Sequence, residues 1–325
     1  MNMTMEMPAP LGWHTLLTTW RPVLGWDLAV LVALAAYLYA VHRAGEWPLH
    51  RTAVFCMGLV VLEVSVSSAI GVYAHPLFWM HMVQHLLLIM VVPILLVAGQ
   101  PLRLTVSAFG DRADRLLRSR AAGWLFSVPI GFGVYAVTIA GTHLTPFMQL
   151  MLTHGYVHVL EQVLYLVSGF LLFLPLIAHE PVRWPLAYPL RLGVLAMAMA
   201  VDTFVGVILM MTVREPFPGY VAMHQSWQPS PIQDLHGGGA IMWAGGDSLM
   251  LILMFAVALE WMTDHARRDS LGGWLESVRA NALAGIGGDT GPDGAPLRRS
   301  ADVDKDPGAL DAYNAMLAKL SEHPE

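Results

Sequence analysis

Two histidine pairs share one spacing: His81 with His85, and His154 with His158. Four helical residues turn about 400°, so each pair would set its rings about 40° apart on one face, one turn apart. Glu161 follows His154 by seven residues and returns to the same face. Neutral imidazole is a good ligand for copper, zinc, iron and nickel. Interfacial histidines that bond to loops or water give the same pattern, but two pairs with an acid alongside favour a metal or redox centre.

Methionine narrows the metal. Met1, Met3, Met5 and Met7 alternate at the start of the chain. An extended segment puts alternate side chains on one side, and a flexible one can wrap them round an ion. Thioethers are soft donors, suited to Cu(I) and not to zinc or magnesium. A start region without any such role reads the same way. Met80, Met82, Met148, Met151, Met210, Met211, Met223 and Met242 recur through the chain, where methionine is also common apolar filler. The single cysteine, Cys56, excludes an internal disulfide framework and a CxxC site. Copper is the metal these donors point to.

The elements that must position these groups follow from composition. Of 325 residues, 56% are hydrophobic and 13% charged, against roughly 25% charged in soluble domains. Mean hydropathy is +0.54 and net charge −6. That excludes a disordered chain, a basic nucleic-acid binder and an ordinary cytosolic enzyme. A span needs about 20 apolar residues, and seven stretches qualify: 23–41, 52–73, 78–98, 123–141, 155–178, 191–213 and 238–260. Lipid satisfies no open backbone groups, so the expectation is an all-α, seven-transmembrane-helix bundle. Pro93, Pro129 and Pro175 fall inside spans and are expected to kink them.

Loops one, three and five and the C-terminal tail share 16 of the 18 basic residues. The positive-inside rule then places the N-terminus outside and the C-terminus in the cytoplasm. The expected division is an outward Met-rich tail over 1–22, a membrane domain over 23–262 and a cytoplasmic tail over 263–325. In that tail, 271–283 suits an amphipathic helix, 286–308 a Gly/Pro/Asp linker and 309–320 a short helix. The N-terminus lacks the basic start of a cleaved signal peptide. No phosphate loop is present, since Gly237–Gly239 is too short for one.

Glu63, Asp202 and Asp247 fall near the middle of spans. An ionised carboxylate there costs about 2.5–3.5 kcal/mol on insertion scales. They read equally as ion- or proton-handling groups and as glue between helices. Ser67 and Gly206 lie one turn from Glu63 and Asp202, where they allow a hydrogen bond or close packing. The sixth loop, 214–237, carries Tyr220, Met223, His224, Trp227, four prolines, Asp234 and His236. It suits a lid, a docking surface or a simple cap.

The segment His81-Met-Val-Gln-His85, a Leu-rich helix, Pro93 and Gly99-Gln-Pro101 resembles the multi-spanning CtaG family of cytochrome c oxidase assembly factors. His154-Gly-Tyr-Val-His158 with Glu161 and Gly169 resembles it too, as does Asp234-Leu-His-Gly-Gly-Gly-Ala-Ile-Met-Trp243. The likeness covers about 51–262. It implies a multi-pass protein of the bacterial plasma (inner) membrane that is needed to build a haem–copper oxidase and delivers copper to it. The family's last motif often begins Asp-Gln, whereas here Leu235 and His236 follow Asp234.

The expected function is therefore copper handling rather than catalysis. Met1, Met3, Met5 and Met7 would capture Cu(I). His81, His85, His154 and His158 with Glu161 would hold it, near Asp234 or His236. Oxidase subunits would receive it, with periplasmic copper chaperones as further partners and no nucleic acid. Haem ligation by facing histidines, a copper permease lined by the deep acids, and a structural scaffold are the alternatives. All turn on whether spans three and five are neighbours.

Overall fold

The computed structural model describes residues 8–177, 180–181 and 186–263. Six helices are long and apolar enough to cross a membrane, or seven if a bent pair counts as one span. They are α1 (Leu24–Ala44), α2 (Leu49–Ser67), α3 (Phe78–Phe109), the bent pair α4 (Val128–His143) and α5 (Phe147–Thr153), α6 (Gly155–Ile177), α7 (Tyr188–Met211) and α8 (Pro231–Thr263). Among the described residues there is no strand, only one isolated antiparallel bridge between Trp20 and Ser68. The all-helical, multi-pass reading holds. Met1, Met3, Met5 and Met7, and the tail segments beyond Thr263, lie outside the described residues.

Proline departs from expectation in an instructive way. Pro129 stands in the first turn of α4 and starts that helix instead of kinking it, because its missing N–H is unneeded there. The fourth span bends elsewhere, by 67° between α4 and α5. Pro175 does lie inside α6, near its end. Pro93 follows a π-helical turn, Leu87–Val91, within α3. It cannot bond to the Ile89 carbonyl one turn back, and that carbonyl lies against Gly169 of α6, where any Cβ would collide with it. The glycine therefore lets α3 and α6 meet backbone to backbone. A second π turn, Ile241–Gly245, interrupts α8, beside a mutual close approach of Gly206 and Gly239. That is the close packing expected near Asp202.

α3 is the centre of the bundle. It packs on α2, α6 and α8, while α4 lies along α6 and α7. Leu88, Ile89, Met90 and Val92 of α3 are fully buried. Leu28, Leu31 and Val32 of α1 and Leu251, Ile252 and Phe255 of α8 are exposed. An apolar exterior of this kind suits contact with hydrocarbon. The last helix starts earlier than expected, at Pro231, with Ser230 before it. Asp234 and His236 are thus helical residues and not part of a loop.

The deep acids are tied between helices. Tyr135 of α4 donates to Asp202 of α7 at 2.6 Å. Thr203 of α7 contacts both oxygens of Asp247 of α8 at 2.9 Å. Glu63 is different: its Oε2 and the Ser67 hydroxyl both lack partners, so the hydrogen bond allowed by their spacing is not made. Ser67 is the last residue of α2, and the chain turns extended at Ser68.

Candidate metal centre

α3 and α6 begin, and α4 ends, at the same end of the bundle. Asp234 fixes the start of α3. Its two carboxylate oxygens accept from the Phe78 and Trp79 N–H groups at 2.8 and 2.9 Å, where the helix leaves donors open and favours negative charge. One turn further on, α3 presents His81, Gln84 and His85, all buried. α4 contributes His143 at its last residue. α6 contributes His158, Glu161, Gln162 and Tyr165.

These groups converge. His81, His158 and Glu161 each offer a ligand atom within 4.8 Å of the other two. His81 Nε2 lies 3.6 Å from Glu161 Oε1, and the Tyr165 hydroxyl donates to that same oxygen at 2.9 Å. The His85 and His143 rings lie 5.0 Å apart, and His85 packs at 4.4 Å on Tyr165. The expected adjacency of the third and fifth spans is therefore present.

Unmet bonding capacity marks the site. Both ring nitrogens of His81, both of His85, Nε2 of His143 and Oε2 of Glu161 are buried with no hydrogen-bond partner. Each such group costs about 1–3 kcal/mol when left unpaired. Native interiors rarely leave several together, whereas a cation would engage them at once. Glu161 is the one carboxylate among them, and with neutral imidazoles it would balance a single positive charge.

Neighbouring groups orient the ligands. His143 Nδ1 lies 2.9 Å from the Ile139 carbonyl. That oxygen only accepts, so Nδ1 carries the proton and Nε2 keeps its lone pair, a common arrangement for metal-binding histidine. Gln84 donates its amide to the Ser65 carbonyl at 2.8 Å, turning its oxygen toward His158 Nε2 at 3.4 Å. The Trp26 indole donates to Gln162 Oε1 at 2.7 Å, turning that amide nitrogen to His158 at 3.3 Å. His158 thus faces one acceptor and one donor and can satisfy only one of them at a time with a single nitrogen.

Three expected site residues stand elsewhere. His154 does not share a face with His158, because α6 starts only at Gly155. His154 is extended (φ −135°, ψ 106°) at the end of α5 and exposed, with Nδ1 2.8 Å from Thr153 Oγ1. His236 Nε2 bonds to the Thr212 carbonyl at 2.8 Å. Asp234 caps α3 as described. Sequence reasoning missed His143, Gln84, Gln162 and Tyr165. Glutamine in an apolar helix was a usable signal, as was Tyr165 one turn from Glu161. His143 became a ligand candidate only when α4 was placed along α6, with its last residue's ring 5.0 Å from that of His85.

Fold and cluster together define a polytopic helical membrane protein with a buried histidine–glutamate centre at one end. The model of the cytochrome c oxidase caa3 assembly factor family (Caa3_CtaG) matches residues 35–264, and the chain belongs to that family. Uncharacterised proteins of Mycobacterium bovis (strain ATCC BAA-935 / AF2122/97) and Mycobacterium tuberculosis (strain CDC 1551 / Oshkosh) are each 28% identical to it over 97% of this chain and 46% of their own length. One of Mycobacterium leprae (strain TN) is 27% identical over 97% of this chain and 47% of its own length. The chain spans about half the length of the curated relatives it matches. No solved structure matches it.

Proposed function

We propose that the protein is an assembly factor for a haem–copper cytochrome c oxidase that binds copper and passes it on. It would act at the outer side of the bacterial plasma membrane, with its N-terminus outside and its C-terminus in the cytoplasm. The observation that carries this reading is the convergence of six unpartnered polar atoms from α3, α4 and α6 in a buried, cation-ready cluster. His81, His158 and Glu161 would hold the ion, with His85 and His143 as the adjoining pair. Met1, Met3, Met5 and Met7 would make the first capture.

Charge selects the oxidation state. A buried pair is tolerated only when its charges cancel and its bonds are met. Cu(I) with Glu161 and neutral imidazoles sums to zero, whereas a divalent ion leaves one uncompensated charge within the bundle. Oxidase subunits are the proposed recipients and periplasmic copper chaperones the proposed donors. No substrate bond is made or broken, so the role is not enzymatic.

Purified protein is expected to bind Cu(I) in competition with a chromogenic chelator, and a variant with His81, His85, His143 and His158 all replaced by Ala is expected to lose that binding. Unchanged stoichiometry and affinity would remove the site. A Soret band in the purified protein would favour haem instead. Copper uptake into proteoliposomes that is lost in Asp202→Asn would favour a permease.

A further inference from the structure

We propose that five histidines form a ligand-exchange row that carries the cation between two separate cavities, with His75 as its first ligand and His143 as its last. The inference rests on the copper reading above. His75 lies between α2 and α3, outside the spans, and was not among the expected ligands. It lines a cavity of about 150 Å³ together with His158, Gln162 and Arg21. A second cavity, of about 390 Å³, is lined by His143, Thr145, Gln149, Ile208, Thr212 and Phe217. The buried cluster thus has a histidine at the wall of each cavity.

The spacing suits transfer. Ring centroids are 6.4 Å apart from His75 to His158, 6.3 Å from His158 to His81 and 6.5 Å from His81 to His143. His85 adjoins the end of the row, 5.0 Å from His143. An imidazole nitrogen binds such a metal at about 2.0 Å, so one ion held linearly between two rings sets their centroids about 6 Å apart. Each neighbouring pair in the row therefore stands near the separation of a shared, two-coordinate ion. The incoming ligand can bind before the outgoing one lets go. Ligand exchange of this kind needs no electron and no proton.

His75 is half-buried at the wall of the first cavity, and a neutral imidazole there keeps one nitrogen lone pair for a metal. Arg21 at the same cavity opposes a divalent ion twice as strongly as a monovalent one at equal distance.

Stopped-flow loading of the purified full-length protein from a Cu(I)–chelator complex tests this. His75→Gln keeps a polar side chain of similar reach but loses the imidazole ligand. It is expected to lose the fast loading phase while reaching the wild-type stoichiometry. His75→Met, a thioether ligand with no donor, is expected to restore the fast phase. Ile208→Trp, which fills the second cavity, is expected to slow release to excess chelator without slowing loading. The row is overturned if His75→Gln loads like wild type, if His75→Met is as slow as His75→Gln, or if Ile208→Trp leaves release unchanged. Wild-type protein that takes up no Cu(I) overturns the copper reading itself. Normal uptake with an indifferent His75 overturns only the row.

Discussion

Asp202 and Asp247 lie midway along α7 and α8, while His81, His85, His143 and Glu161 lie at one end of the bundle. Both sets are polar groups in apolar helices, and both cost free energy to place there. Each acid takes a bond from a neighbouring helix, Asp202 Oδ2 from Tyr135 and Asp247 from Thr203, with Asp202 Oδ1 alone left unmet. The histidine end is answered only in part: both nitrogens of His81 and of His85, Nε2 of His143 and Oε2 of Glu161 stay unpartnered within one cluster. A membrane helix can keep a polar group as a tie or as a binding site, and the partner distinguishes them. Asp202 and Asp247 read as ties, whereas the histidine end keeps its bonding capacity for something that arrives.

The largest effect tests what a partnered acid does when burial still prevails. Glu180, at the far end of α6, accepts from the Leu102 and Arg103 N–H groups at 3.2 and 2.7 Å. Burial nevertheless raises its pKa from 4.5 to about 7. Below pH 4.5 both folded and unfolded chains hold this proton. Between 4.5 and about 7 the unfolded carboxyl ionises first, so the fold loses stability as pH rises, by about 1.4 kcal/mol per unit and about 3 kcal/mol in all. Glu180→Gln is expected to flatten that slope in thermal unfolding across pH 5 to 8. An unchanged slope breaks the assignment.

Next comes Tyr135→Phe. It strands Asp202 among apolar side chains and is expected to destabilise the protein by about 1–3 kcal/mol. Cu(I) binding should be unaffected, which separates the tie from the site. Loss of copper with no loss of stability would reverse the two roles.

His85→Phe runs the other way. It deletes two buried nitrogens without partners while keeping a ring of similar shape. The metal-free protein is expected to gain about 1–2 kcal/mol, and the rise in melting temperature on adding Cu(I) should shrink. A ring that binds nothing would give the first result without the second.

How much of this was legible beforehand depends on range. Helical class and approximate span number follow from runs of apolar residues that any bilayer must answer; the structure keeps the class, with six spans, or the expected seven if the bent pair counts as one. His81, His85 and Glu161 were visible because α3 and α6 are regular where they sit. His154 misled because a helix boundary falls one residue after it. Local periodicity does not see that boundary, where α5 ends at Thr153 and His154 turns extended. His143 was hidden for another reason, since its neighbours come from helices about 60 residues before it and about 15 after. The π turn before Pro93 followed no local pattern either, because Gly169 on another helix is what accommodates it.

The smallest effect sharpens the distinction within the acids. Asp247 is only half buried, and Thr203 contacts both its oxygens at 2.9 Å. Hydrogen bonds between membrane helices average about 0.6 kcal/mol, because the separated helices also find partners. Thr203→Val keeps shape and removes the hydroxyl, so a loss near that average is expected in thermal unfolding. Combined with Tyr135→Phe, the two losses are expected to interact, since Asp202 and Thr203 are adjacent on α7. Strict additivity would make the acids two independent ties. A coupling of about 0.5 kcal/mol or more would make α4, α7 and α8 a single polar seam, set apart from the open histidine end.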